Sequence, residues 1–261
     1  MKDSLKECSD KIEHLLKLFT PPIGVKLFKS IDELPEDAQR TDRKCTVCQL
    51  VAFTRMDIKF QDKVIYATKD DILCALGGSA LGFYELPEDM ASGERALQVY
   101  SDNVEANKKM MSDVIRIKPG QYQGILVAPL SKMSISPDVI LVFCASSQMV
   151  RFAYAASWRN GRLLECKTNG HQGICSEAIA APYLLREPRI ALPCYGSHRF
   201  ALVRDEEFVF GFPAELLEEI TFGLERSQEL GQGYPIRRVG LTVPPPEMQA
   251  RIVKKKGNDE A

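Results

Sequence analysis

Two apolar runs, Gly124-Ile-Leu-Val-Ala-Pro-Leu130 and Val139-Ile-Leu-Val-Phe-Cys-Ala145, decide the fold class. Neither alternates apolar with polar residues, so each reads as a strand covered on both faces, the mark of an interior sheet. Both reach only strand length, far short of the roughly 20 residues that span a ~30 Å hydrocarbon layer. No membrane association is expected.

Working outward from these runs, helical and extended patterns alternate. Upstream, Leu5, Ile12, Leu15, Leu16 and Phe19 recur at helical spacing over residues 4–19, and Pro21-Pro22 ends that helix. A strand is predicted over 23–28 and a polar connector at 34–37. A helix follows over 45–56 through Val47, Leu50, Val51 and Phe53, and then a strand over 63–68, with Asp70-Asp71 as a cap before Cys74. Residues 93–114 are amphipathic and predict two short helices. Downstream come a helix over 148–158, a strand over 163–168, a helix over 176–185 and a strand over 189–193. One or two strands lie within 200–212 around the Asp205-Glu206-Glu207 turn, and Pro213 opens a last helix, with proline tolerated at its first position. Residues 243–261, including Lys254-Lys255-Lys256, have little to bury and are expected to form a mobile tail. The pattern predicts an α/β or α+β protein in which residues 1–242 form one globular domain. That domain is a mixed sheet with flanking helices, either a single compact body or two intimate lobes.

The 261 residues carry 34 Lys plus Arg against 35 Asp plus Glu, a formal net charge of −1. This balance offers no general attraction to phosphate backbones or anionic membranes, so nucleic acid is not an expected partner. The start, Met1-Lys-Asp-Ser-Leu-Lys-Glu-Cys8, lacks a basic segment followed by an apolar run, so export is not expected and a cytoplasmic location is. In that reducing compartment cysteines stay thiols unless a metal or a catalytic cycle engages them. A homo-oligomer is open.

The chain has eight cysteines. Cys45-Thr-Val-Cys48 is a CxxC at a helix start, where backbone N–H groups favour thiolate; such a pair ligates metal or cycles as a disulfide. No second CxxC completes a zinc ribbon. Cys74 precedes Ala-Leu-Gly77-Gly78, whose glycines permit close backbone approach; the segment lacks the GxGxxG order of a dinucleotide site. Cys175, in Gly170-His-Gln-Gly-Ile-Cys-Ser-Glu177, sits where a loop enters a helix, and Cys194, in Pro193-Cys-Tyr-Gly196, is expected at a strand end. Cys144 and Cys166 are expected to fill strands, and Cys8 to be incidental. His171 and His198 flank Cys175 and Cys194 as candidate bases or ligands. Glu177 is a candidate acid/base beside Cys175, and Arg189 and Arg199 bracket Cys194 as sites for an anion or a thiolate charge. No GxSxG nucleophile elbow occurs.

In order along the chain, Pro21-Pro22-Ile-Gly-Val-Lys26, Cys48-Gln49, Cys74 with Gly77, Ala80-Leu81-Gly82, Pro137-Asp138-Val-Ile-Leu-Val-Phe143, Cys175-Ser-Glu177 and Pro193-Cys-Tyr-Gly196 resemble the domain-of-unknown-function family 169. The resemblance extends from about Leu15 to about Leu224. It implies cysteines at Cys48, Cys74, Cys175 and Cys194 as a family feature, with Cys45 and Cys144 particular to this chain. Four thiolates from four separate sites make a tetrathiolate set, suited to an iron–sulfur cluster of the four-iron (4Fe-4S) type or, alternatively, to zinc. The expected function is redox or small-molecule chemistry at such a cluster, with a small molecule or a redox protein as partner. Glu177 and Arg199 stand near the cluster, and Cys45 is the reserve ligand. Two other readings stay open. One is a metal-free thiol enzyme with Cys175 or Cys194 as nucleophile and His171 or His198 as base; the other is a small-ligand binding module with structural cysteines.

Overall fold

Both apolar runs are strands, and the strand Ile23–Phe28 lies between them, antiparallel to each. In the computed structural model of the chain, residues 2–237 are described; the expected tail at 243–261 lies outside them. In chain order the strands are β1 (Ile23–Phe28), β2 (Gln39–Arg40), β3 (Ile65–Thr68), β4 (Gly124–Pro129), β5 (Val139–Ala145), β6 (Arg189–Ala191) and β7 (Glu207–Pro213). The α-helices are α1 (Lys2–Leu16), α2 (Val47–Met56), α3 (Ala75–Ala80), α4 (Glu88–Ala91), α5 (Val104–Ser112), α6 (Ser146–Ser157), α7 (Ala181–Leu185), α8 (Tyr195–Ala201) and α9 (Leu217–Glu229). A π-helical run, Gly173–Ala180, leads into α7. The strands form one mixed sheet in the order β2-β3-β4-β1-β5-β7-β6, in which β2 and β3 pair parallel and every other neighbour is antiparallel.

Because side chains alternate across a strand, each apolar run feeds two cores. Val25, Leu27, Ile125, Val127, Leu141 and Phe143 face one side and pack with Val47, Leu50 and Val51 of α2 and with Ile174 and Ala178 of the π-helix. Leu126, Ala128, Ile140, Val142, Phe210 and Phe212 face the other and pack with α1, α6 and α9 through Ile12, Leu16, Phe152 and Leu224. Burying a side chain of this kind contributes about 1.5–3 kcal/mol. The result is one three-layered α/β body with a mixed sheet in the middle.

Local departures from the expected elements have physical causes. Residues 163–168 are not a strand; Leu163 is exposed and Glu165 bridges Arg189 at a single point, so the alternation has no face to bury. Phe200 and Ala201 belong to α8, not to a strand, and the chain becomes extended only at β7. Of the two short helices expected within 93–114, the first falls earlier, at α4, and α5 starts at Val104 because the Asn103 side chain caps it at the Ala106 N–H. Thr46 likewise starts α2, by a reciprocal capping box with Gln49, which leaves Cys45 outside the helix.

Candidate cysteine site

On the first of these faces four helical segments begin close together, and each carries one predicted cysteine in or just before its first turn. Cys48 is the second residue of α2, Cys74 caps α3, Cys175 is the third residue of the π-helix, and Cys194 caps α8. Helix α2 packs against α3, α8 and the π-helix, and α3 also packs against the π-helix. Two glycines make this possible. A Cβ on Gly173 would stand 2.1 Å from the Leu192 carbonyl oxygen and 3.1 Å from the Cys194 nitrogen, so only glycine lets the start of the π-helix lie on the segment that carries Cys194. A Cβ on Gly211 would stand 2.1 Å from the Ala178 carbonyl oxygen, so β7 receives the same helix backbone-to-backbone. Cys194 is therefore not at the end of β6 but at a helix start three residues beyond it.

The thiols sense one another. The Cys194 thiol is lowered to about 5, first by a hydrogen bond from Cys48 and then by the Ser197 hydroxyl and the backbone N–H groups of Ser197 and Gly173. Its sulfur lies 3.2 Å from Ser197 Oγ. Cys48 is pushed up, first by sharing its proton with Cys194, then by burial and by the charge on Cys175. Burial pushes Cys175 up as well, and the charges of Cys74 and Cys194 add to it. The Gly77 N–H donates to the Cys74 sulfur at 3.3 Å. Each of the four is thus in electrostatic reach of another, and the Gly77 N–H points at the Cys74 sulfur. Among the described residues, no group of three or more His, Cys, Asp or Glu side chains is arranged to hold a single metal ion.

Residues the sequence did not single out complete the surroundings. The Tyr100 ring lies 3.7 Å from that of His171, and burial raises the Tyr100 phenol with help from the charges of Cys74 and Cys194. Tyr84 donates to the Cys74 carbonyl oxygen at 3.1 Å. Arg116 donates to Gln172 Oε1 at 3.2 Å, and Gln172 in turn donates to the Leu76 carbonyl oxygen at 2.8 Å. Arg116 is a cation beside Cys175, partly desolvated by burial. No spacing rule links these positions to the cysteines; they meet only through the tertiary fold.

The remaining candidates stand elsewhere. The reserve ligand Cys45 is buried in a bridge to Ile72; burial pushes it up to about 12, and its charged neighbours are Asp71 and Arg43, not the other cysteines. Cys8 and Cys144 lie in the core on the opposite face of the sheet, and Cys166, expected to fill a strand, is exposed. Of the two histidines, His171 is in reach of the Cys194 charge, whereas His198 bonds the Val203 carbonyl oxygen at 3.0 Å through Nδ1. Arg199 stacks on Phe200 at 5.3 Å. Arg189 bonds Glu165 at 2.5 Å, and Glu177 accepts the Lys167 N–H at 3.2 Å.

Among known proteins, an uncharacterised protein of Methanocaldococcus jannaschii is 29% identical over 231 residues, covering 87% of this chain and 97% of that protein. No solved structure matches the chain. Among the described residues no helix is long and apolar enough to cross a membrane. Residues 11–223 match the family described as Uncharacterised ArCR, and with most of its length inside that match the chain belongs to this domain-of-unknown-function family 169.

Proposed function

We propose that Cys48, Cys74, Cys175 and Cys194 hold an iron–sulfur cluster of the four-iron type, and that the protein performs redox or small-molecule chemistry in the cytoplasm. The observation that carries this reading is the gathering of four thiols at four neighbouring helix starts, each in electrostatic reach of another, with the Gly77 N–H bonded to the Cys74 sulfur. Hydrogen bonds to sulfur are a principal means by which proteins stabilise cluster thiolates and set their potentials. A tetrahedral zinc site draws its sulfurs to about 3.8 Å from one another, given Zn–S bonds of about 2.3 Å. The soft thiolate donor set suits an iron–sulfur cluster, with zinc as the alternative. When bound, such a cluster supplies one-electron transfer or a Lewis-acidic iron. The chain's part is to release the protons of Cys48 and Cys175, to hold the Cys194 thiolate with Ser197 and Gly173, and to place Arg116 as a cation near the anionic centre.

Anaerobic purification after expression with iron and sulfide tests this. The expected protein is brown, absorbs broadly near about 400 nm and carries about four irons and four sulfides per chain, and loses them on Cys74→Ala or Cys194→Ala. Colourless protein without iron, even after anaerobic reconstitution, overturns it.

A second reading rests on the same pair of sulfurs. Cys194 and Cys48 share a proton, with the thiolate on the cysteine that accepts the most hydrogen bonds, as a metal-free redox or nucleophilic pair requires. Iron-free protein in which Cys194 is alkylated much faster than any other cysteine favours it.

A further inference from the structure

A cleft of about 590 Å³ lies beside the cysteine site and does not include its sulfurs. One wall is a solvent-facing side of α5 and the segment that follows, with Ala106, Met110, Val114 and Ile115; the other is the loop from Cys166 to Gln172. Its volume is that of a site for one small organic molecule. Glu177 lines it and is only 6% exposed.

This carboxylate is short of counter-charge. Its Oε1 accepts the Lys167 N–H at 3.2 Å, while the nearest cation, Arg189 Nη1, stands 4.0 Å away and is engaged by Glu165 at 2.5 Å. Oε2 makes no hydrogen bond among the described residues and keeps some exposure. Burying a carboxylate without a full complement is costly, and the cost is relieved by a cation that brings its own hydrogen-bond donors. At the rim stand the ammonium groups of Lys109 and Lys167, both exposed and each paired only with an exposed carboxylate, Asp113 and Glu165. Such surface pairs are worth little and yield readily to a ligand anion.

We propose that this cleft binds a small zwitterion of the amino-acid class, with its ammonium on Glu177, its apolar side chain against Met110, Val114 and Ile115, and its carboxylate toward Lys109 and Lys167. The three features that select this ligand class are independent of metal at the thiols, because no cluster ligand lines the cleft. The site therefore stands whether or not the cluster reading does.

Titration calorimetry of the full chain as purified, with and without iron, separates the parts of the ligand. L-Leucine is the probe, and isoamylamine and 4-methylpentanoate are its versions without carboxylate and without amine. Leucine is expected to bind in both iron states, isoamylamine more weakly, and 4-methylpentanoate at least about tenfold more weakly than leucine. Glu177→Gln lowers the leucine affinity at least about tenfold. Should that variant not fold, Ala106→Trp on the exposed side of α5 fills the cleft and abolishes leucine binding with unchanged circular dichroism. Absence of leucine binding in the wild type, equal binding of 4-methylpentanoate, or full leucine binding in Ala106→Trp overturns the proposal.

Discussion

A thiol that accepts hydrogen bonds from a second thiol, a hydroxyl and two backbone N–H groups has little need of a cation to ionise. Cys194 has the Ser197 hydroxyl at 3.2 Å and, in reach, the Cys48 thiol and the N–H groups of Ser197 and Gly173, which together lower its thiol to about 5 from the ordinary value near 8.5. Alkylation rate follows the thiolate fraction. In iron-free protein the rate of iodoacetamide reaction at Cys194 is therefore expected to rise through about pH 5 and to be flat between about 7 and 8, where an ordinary thiol still climbs several-fold. Cys48→Ala removes the first of the four donors, so the rise moves to higher pH. Peptide mapping of the alkylated site at each pH checks both; a wild-type rate still climbing several-fold from 7 to 8 rejects the assignment. Cys194 was legible in the sequence as a candidate thiolate in Pro193-Cys-Tyr-Gly196, though it was expected at a strand end and not at a helix start. Its donors were not, since Ser197 comes from the next helical turn but Cys48 and Gly173 come from remote segments that only the fold brings together.

Between the elements, the close approach of backbones matters more than any side chain. The π-helix rests on the segment before Cys194 at Gly173 and on β7 at Gly211, with no room for a methyl group at either point. Gly173→Ala is expected to force the π-helix away from Leu192, lower stability by about 1–3 kcal/mol and separate Cys175 from Cys194. Chemical denaturation gives the first effect. A Cys194 alkylation profile no longer shaped by the Gly173 N–H gives the second. Unchanged stability would mean that the segments part without cost. The glycine-bearing loop at 170–173 was readable as a helix start, but its winding was not: Gly173 to Ala180 has a composition equally suited to α-helix, and the wider turn is settled by what the backbone must touch. The same limit explains Phe200, whose neighbours alternate like a strand yet continue the helix begun at Tyr195.

For the whole molecule, the runs at 124–130 and 139–145 were enough to announce a sheet buried on both faces, because no other arrangement hides so many consecutive apolar side chains. The strand order was not legible, since β1 inserts between two strands about a hundred residues downstream and no local pattern encodes that pairing. A buried ion pair absent from any motif also joins the cysteine-bearing layer to the sheet. Arg55 of α2 donates to Glu207 at the start of β7 at 2.7 Å and to Thr20 at 3.1 Å, while its guanidinium lies 3.5 Å from the centre of the Phe143 ring. Both partners are almost wholly buried, and burial brings the Arg55 pKa down to about 10. A pair in such a place costs much desolvation, so its worth lies less in net attraction than in the penalty for breaking it. Arg55→Met, which leaves Glu207 buried and uncompensated, is expected to cost about 3–5 kcal/mol, whereas the double variant Arg55→Met/Glu207→Leu, which removes both charges, costs much less. Urea denaturation of the wild type and the two variants completes the comparison. A double variant as unstable as the single one would show that the pair stabilises the fold by its own attraction, and that α2, with Cys48 on it, is anchored to the sheet by charge and not by the apolar core around Val47, Leu50 and Val51.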